Sequence, residues 1–268
     1  MKSRIAWTST SAADDAALEG LRDFVSALGS NDYRLIGGLA LSLLIQAASD
    51  LLPAEVTRRS TADNDAALTE AVLAASGIDN SLRTLAYTRT AGNRWERRRS
   101  SGEVSAIDIV VPSLKGRRLL SRNVGNLVVD ALPGVLCVLH NSPVPLEVCV
   151  TLRSGVEFDV PVKVSSPLGL VVSKAFACDG RSKDTDWTDM WRALEVANSV
   201  GFTAEAVEWE HPEAIDAAAI LNRHLLDPNT VIVELLCPGL GEQARQIRTT
   251  RVRALTQRLV PDFRGTVA

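Results

Sequence analysis

The sequence predicts an α/β protein, with a mixed β-sheet domain over residues 1–165 followed by a helical C-terminal domain over 166–268. Three observations predict it. Short apolar and β-branched runs of strand length, such as Ala106 to Val111, alternate with helical stretches as far as Ser165. Beyond Pro167 the apolar spacing becomes three and four and stays so. No internal repeat or low-complexity linker separates the two parts, so they should pack closely.

Taken in order, Ser11 to Leu28 carries apolar residues at Leu18, Leu21, Val25 and Leu28, a helical spacing with Ser11 as N-cap and Gly29 as stop. Tyr33 to Ile36 predicts a short strand, and Leu39 to Ala48 an apolar helix buried against the sheet. Ala66 to Ala75 predicts a helix closed by Gly77, and Thr84 to Thr90 has strand character. Arg94 to Arg99 should pair with Glu103 to Val111 as a hairpin around Ser100-Ser101-Gly102. Leu114 to Leu132 is weakly patterned and predicts an excursion between strands. Val135 to Leu139, Leu146 to Leu152 and Val156 to Val164 predict further strands, with Asp159 on a solvated face. Helices are expected over Leu168 to Ala177, Asp186 to Val200, Pro212 to Leu225, Asn229 to Leu236 and Gly241 to Leu259.

Composition excludes several classes. The 268 residues are 46% hydrophobic and 23% charged, enough for a proper core. A net charge of −3 argues against a protein that binds nucleic acid by its overall field, although a local basic patch survives that average. The four cysteines and three histidines have no zinc-ligand spacing, which suits free thiols in a reducing cytoplasm. Met1 to Ser11 lacks an apolar signal-peptide core, and no stretch approaches the ~20 apolar residues of a membrane span. The expected location is cytoplasmic.

The residues that carry chemistry cluster in two places. Leu35-Ile36-Gly37-Gly38-Leu39-Ala40 is a strand-turn-helix signal whose glycines permit close backbone approach and whose helix N-terminus suits a phosphate. Arg58 to Asp65 follows, and on an extended segment Asp63 and Asp65 project to one face, where two oxygen ligands can grip Mg²⁺. Asp108 is a lone acid in a buried strand, which costs desolvation free energy unless it is paired or ligates a metal. Asp63, Asp65 and Asp108 are therefore expected to converge.

Gly37-Gly38, then Asp63-x-Asp65, then an Asp-bearing strand resembles the nucleotidyltransferase superfamily. Pro167-Leu168-Gly169-Leu170-Val171-Val172-Ser173-Lys174-Ala175-Phe176-Ala177, followed by Arg181 to Asp189, is similar to the second half of its AbiEii-like and MenT-like toxin branch. The likeness spans residues 30 to 200, with Gly38 where the family usually has Ser and Asn64 where it commonly has an apolar residue. It implies a nucleotidyltransferase-like sheet domain and an active site between the two parts. It implies transfer of a nucleotide from an NTP to an acceptor, the tRNA 3′ end in the toxin branch, with a cognate antitoxin as partner. Asp63, Asp65 and Asp108 would then bind Mg²⁺ or Mn²⁺. Lys174 and Asp186 would be catalytic, and Gly37, Gly38, Thr61, Lys174, Lys183 and Asp189 nucleotide-binding. Spacing alone does not choose among Asp184, Asp186 and Asp189. A non-catalytic nucleotide-binding module and an enzyme acting on a small molecule are the competing readings.

Two basic stretches bear on the acceptor. The cluster Arg94, Arg97, Arg98 and Arg99 reads either as a solvated edge strand protected by charge or as a phosphate-binding patch with Trp95 for stacking. Lys115, Arg117, Arg118 and Arg122 form the second. An RNA acceptor requires both on the rim of the site, and Lys174 should point into the cleft without contributing much to stability.

Overall fold

The computed structural model describes residues 1–99, 102–180, 184–227, 237 and 239–263, with only the backbone of Asp184. Period-two burial starts at once. In β1 (Arg4–Thr8) Ile5 and Trp7 are buried while Arg4, Ala6 and Thr8 face outwards. This edge strand was not foreseen from the sequence. α1 (Ala12–Leu28) begins where Ser11 Oγ accepts the Asp14 N–H at 3.0 Å and stops at Gly29. β2 (Arg34–Ile36) then runs directly into α2 (Gly37–Ala47), an apolar helix buried nearly all round.

β3 (Asp63–Ala67) takes the residues Ala66 and Ala67 that helical spacing had assigned to a helix, because they pair across both its edges. The helix itself, α3 (Glu70–Ala75), starts at the Thr69 cap and is followed by α4 (Ile78–Thr84). β4 (Thr88–Ala91) and β5 (Arg94–Arg98) form a hairpin, and β5 pairs antiparallel with β6 (Val104–Pro112) as expected. The weakly patterned excursion is a second hairpin, β7 (Leu119–Val124) and β8 (Leu127–Leu132). Val135 to Leu139 is not a strand but lies in α5 (Val135–His140), which starts at Gly134 with φ 82. A run this short and apolar has no period that separates the two states.

β9 (Val144–Thr151) and β10 (Glu157–Val164) complete a ten-stranded mixed sheet in the order β1-β9-β10-β2-β3-β6-β5-β4, with β8 on the end of β6 and β7 beyond it. β3 and β6 are parallel, in a register that sets Asp65 opposite Asp108 and Ala67 opposite Val110. Helices follow: α6 (Pro167–Gly180), α7 (Asp184–Ser199), a 3₁₀ turn over Val207–Glu210, α8 (Pro212–Leu221) continued by a π-helical turn over Asn222–Leu226, and α9 (Glu242–Leu259). The helix expected over Asn229 to Leu236 lies outside the described residues.

The change from strands to helices falls between Val164 and Pro167. One apolar core nevertheless runs through both parts, from Ile5 and Trp7 through Leu39 and Leu43 to Leu194 and Leu255. α2 makes this possible, since it contacts the sheet strands and also α6 and α7. No described helix is long and apolar enough to cross a membrane. The four cysteines are free thiols.

Candidate active site

Strand alternation decides which side chains reach the site. On β3, Asn64 turns to α1, where its Nδ2 donates to Ala17 O at 3.1 Å, so Asp63 and Asp65 face the other way. Further along that face, Ala67, Ile36 and Val110 pack under Val135 and Val138 of α5 in a small apolar patch. The acids occupy the part of the face beside this patch, with Asp65 directly across from Asp108.

Gly37 closes one side. It adopts φ 75, and a Cβ there would stand 1.9 Å from Asp65 Oδ2, so the carboxylate rests on bare backbone. Gly38 plays the same part for Arg59, whose Nη2 would lie 2.9 Å from its Cβ. No side chain caps the N-terminus of α2 between them. Thr61 lies on the approach to β3, its hydroxyl 3.4 Å from the Asp63 N–H.

The second group of charges joins α6, α7 and the segment before β3. Asp189 is buried and accepts from Arg59 Nε at 3.1 Å and Nη2 at 2.9 Å, from Lys174 Nζ at 2.8 Å and from Arg192 Nη1 at 3.2 Å. Asp186 stands 3.7 Å from the same ammonium. Burial alone would raise the Asp189 pKa, but hydrogen bonds and charge from Arg59 and Lys174 outweigh it and hold the group at about 2. Lys174 is itself buried, with 8% of its side chain exposed, whereas Arg59 keeps 34%. Ser42 Oγ ties down the Arg59 backbone by donating to its carbonyl at 3.1 Å. The charge of Asp65 helps to raise the Arg59 pKa, so the two groups of charges adjoin.

At the acid end, Arg94 sits across the carboxylates. Its Nη2 donates to Asp63 Oδ1 at 2.7 Å, Nη1 to Asp108 Oδ2 at 2.6 Å and Nε to Glu96 Oε1 at 2.7 Å. Burial, then the charge of Asp65, with Asp63 adding, pushes the Asp108 pKa up to about 7 despite Arg94. The predicted acids are thus brought to one face. Among the described residues, however, no three acidic, His or Cys side chains are drawn into a group ready to hold a metal ion. The donor chemistry, carboxylate oxygens on one face, is of the kind a hard divalent cation takes.

The basic cluster divides by strand parity. Arg94 and Glu96 share the acid face, while Arg97 and Arg99 turn to α1 and donate to Asp23 at 3.1 and 2.8 Å. Trp95 is completely buried and donates to Asp79 at 3.1 Å, so it is not available for stacking on a base. In the second stretch Arg118 pairs with Asp130 and Arg122 with Glu70. The expectation that Lys174 contributes little to stability is also corrected by its burial between Asp186 and Asp189. Lys183 lies outside the described residues, as does the Asp184 side chain.

Sequence reasoning missed Arg59 and Arg192 as site residues, and weighed Arg94 only as an edge-strand or phosphate-binding arginine, not as the partner of the acids. Arg59 stands four residues before Asp63 and could have been noticed, but its partner Asp189 is 130 residues away. No model of a known protein family matches the chain, and no curated protein matches its sequence.

Proposed function

We propose that the chain is a nucleotidyltransferase that moves a nucleotide from an NTP to an acceptor with release of pyrophosphate, on a nucleotidyltransferase-like sheet backed by a helical C-terminal part. One observation carries the reading: an acid group, Asp63, Asp65 and Asp108, adjoins a cation group, Arg59, Lys174 and Arg192, across the glycine-lined start of α2. Metal-bound triphosphate has that pattern of charge, with divalent cations on one side and phosphate oxygens on the other.

Asp63, Asp65 and Asp108 would hold Mg²⁺ or Mn²⁺, which supplies charge neutralisation at the attacking and leaving oxygens. Gly37 and Gly38 leave room for phosphate against the backbone, and the α2 N–H groups favour an anion there. Arg59 has the most exposed side chain of the three cations, so it, rather than the buried Lys174, would meet the leaving phosphates. Lys174 instead holds Asp189, and through it Arg59, in place. Asp108 would accept the acceptor hydroxyl's proton.

The resemblance to toxin nucleotidyltransferases supports the tRNA 3′ end as acceptor and an antitoxin protein as partner in the cytoplasm. A non-catalytic nucleotide-binding module is the second reading, and the ion pairs of Arg94 with Asp63 and Asp108 favour it. Incubation with each labelled NTP, Mg²⁺ and purified tRNA separates the two. Transfer that falls at least about a hundredfold in the Asp63→Asn, Asp65→Asn double variant supports the enzyme. NTP binding with no transfer to tRNA, total RNA or small hydroxyl acceptors supports the module, and transfer unaffected by the double substitution removes the site.

A further inference from the structure

Arg94 uses three nitrogens on three different carboxylates, at 2.6 to 2.7 Å. Its backbone is fixed opposite Asp108 by the β5/β6 pairing, yet 31% of its side chain stays exposed. We propose that Arg94 is an exchangeable counter-ion, which holds the acids in place while no divalent cation is bound and swings aside when one enters. The proposal rests on the reading that Asp63, Asp65 and Asp108 hold such a cation.

Guanidinium and cation compete for the same carboxylates. Arg94 takes one oxygen each of Asp63 and Asp108, and a hard cation ligating these carboxylates at about 2.0–2.6 Å would stand within a few ångströms of its positive charge. Like charges that close repel, so the cation binds more weakly while the guanidinium stays. Removing Arg94 altogether would take from Asp63 and Asp108 the cation that both now hold, beside the like charge of Asp65, so the arginine also suits the cation-free state. Glu96 gives the exchange a path. It lies two residues along the same strand face and already holds Nε, so Nη1 and Nη2 can leave Asp63 and Asp108 while the charge stays paired. A side chain about one-third exposed can make that swing by rotation about its own stem, without moving the sheet.

A purely structural salt bridge makes the opposite prediction. If Arg94 only fastens β5 to its neighbours, its loss misplaces the acids and cation affinity falls or stays level. Titration of Mn²⁺ into the full chain without nucleotide, followed by calorimetry, decides between them for wild type, Arg94→Gln and the Asp63→Asn, Asp65→Asn pair. Exchange predicts that Arg94→Gln binds Mn²⁺ about tenfold tighter or more, the gain expected when a competing state is removed. Arg94→Lys, which keeps the charge but cannot span two carboxylates, should fall between. Mn²⁺ should also raise the melting temperature of Arg94→Gln more than that of wild type, a readout that holds if the variant is less stable at the start. Arg94→Gln binding no tighter than wild type, with binding lost in the aspartate pair, overturns the exchange and leaves the metal reading standing. Absence of Mn²⁺ binding in both wild type and Arg94→Gln overturns both.

Discussion

Asp189 shows how one buried carboxylate can organise a site. It holds Arg59, Lys174 and Arg192 at once, and its pKa falls from the ordinary 3.8 to about 2. A depressed carboxylate contributes stability that is fully present above its unfolded pKa and is lost as pH falls through the folded value. The stabilisation from Asp189, about 2 kcal/mol, should therefore fade between pH 5 and pH 2. Urea unfolding across that range should show a shallower acid slope for Asp189→Asn, which should already be less stable at pH 7 because three cations lose their partner. Lys174→Ala should cost about 3 kcal/mol for the same reason, since it breaks a buried pair. Arg97 belongs to a different network. Arg97→Glu would set a second acid against buried Asp23 and should lower the melting temperature by several degrees, whereas Arg98→Glu, at an exposed position where the side chain donates to Gly102 O, should change it little.

Among the elements, the β2–α2 junction decides most. Leu35 and Ile36 are buried in β2, and the chain must turn into a helix while leaving room for Asp65 and Arg59. Gly37 meets both demands, with φ 75 and no side chain. Gly37→Ala should therefore displace Asp65 and abolish the metal and nucleotide binding proposed for this site, at a stability cost above about 1–2 kcal/mol, the ordinary penalty of positive φ. Gly29→Ala is the control. It carries φ 58 but would meet nothing within 4 Å, so only the conformational penalty should appear and binding should persist. Equal effects of the two substitutions on nucleotide affinity would refute the role given to Gly37.

Across the whole molecule, the sheet and the helices share one core. α2 is apolar on every side because it is covered on one by strands and on the other by α6 and α7. The Arg59–Asp189 and Lys174–Asp189 pairs cross the same junction. Residues 1–165 alone should therefore expose Leu39, Leu43 and Leu44 and fail to give a stable fold, and the full chain should unfold in one transition. Two separate transitions by calorimetry, or a soluble, cooperatively folded 1–165 fragment, would show that the parts are independent domains.

Local signals in the sequence sufficed for much of this architecture. The Ser11 cap and Gly29 stop, the β5/β6 pairing, the acid-bearing strand at Asp108 and the change to helices after Pro167 depend on neighbours a few residues apart, and periodicity reports those. The alternation of Asp63, Asn64 and Asp65 likewise foretold that the two acids share a face. Three things came only from tertiary structure. The β3/β6 register placed Asp65 opposite Asp108, a pairing over 43 residues that no local pattern specifies. The parity of β5 sent Arg94 to the acids and Arg97 and Arg99 to Asp23, although all belong to one basic run. Asp189 gathered Arg59 and Lys174 from two other segments, beside its local helix neighbour Arg192, because a buried charge takes its partners from whatever the fold brings within hydrogen-bond reach, and sequence distance does not enter that energy.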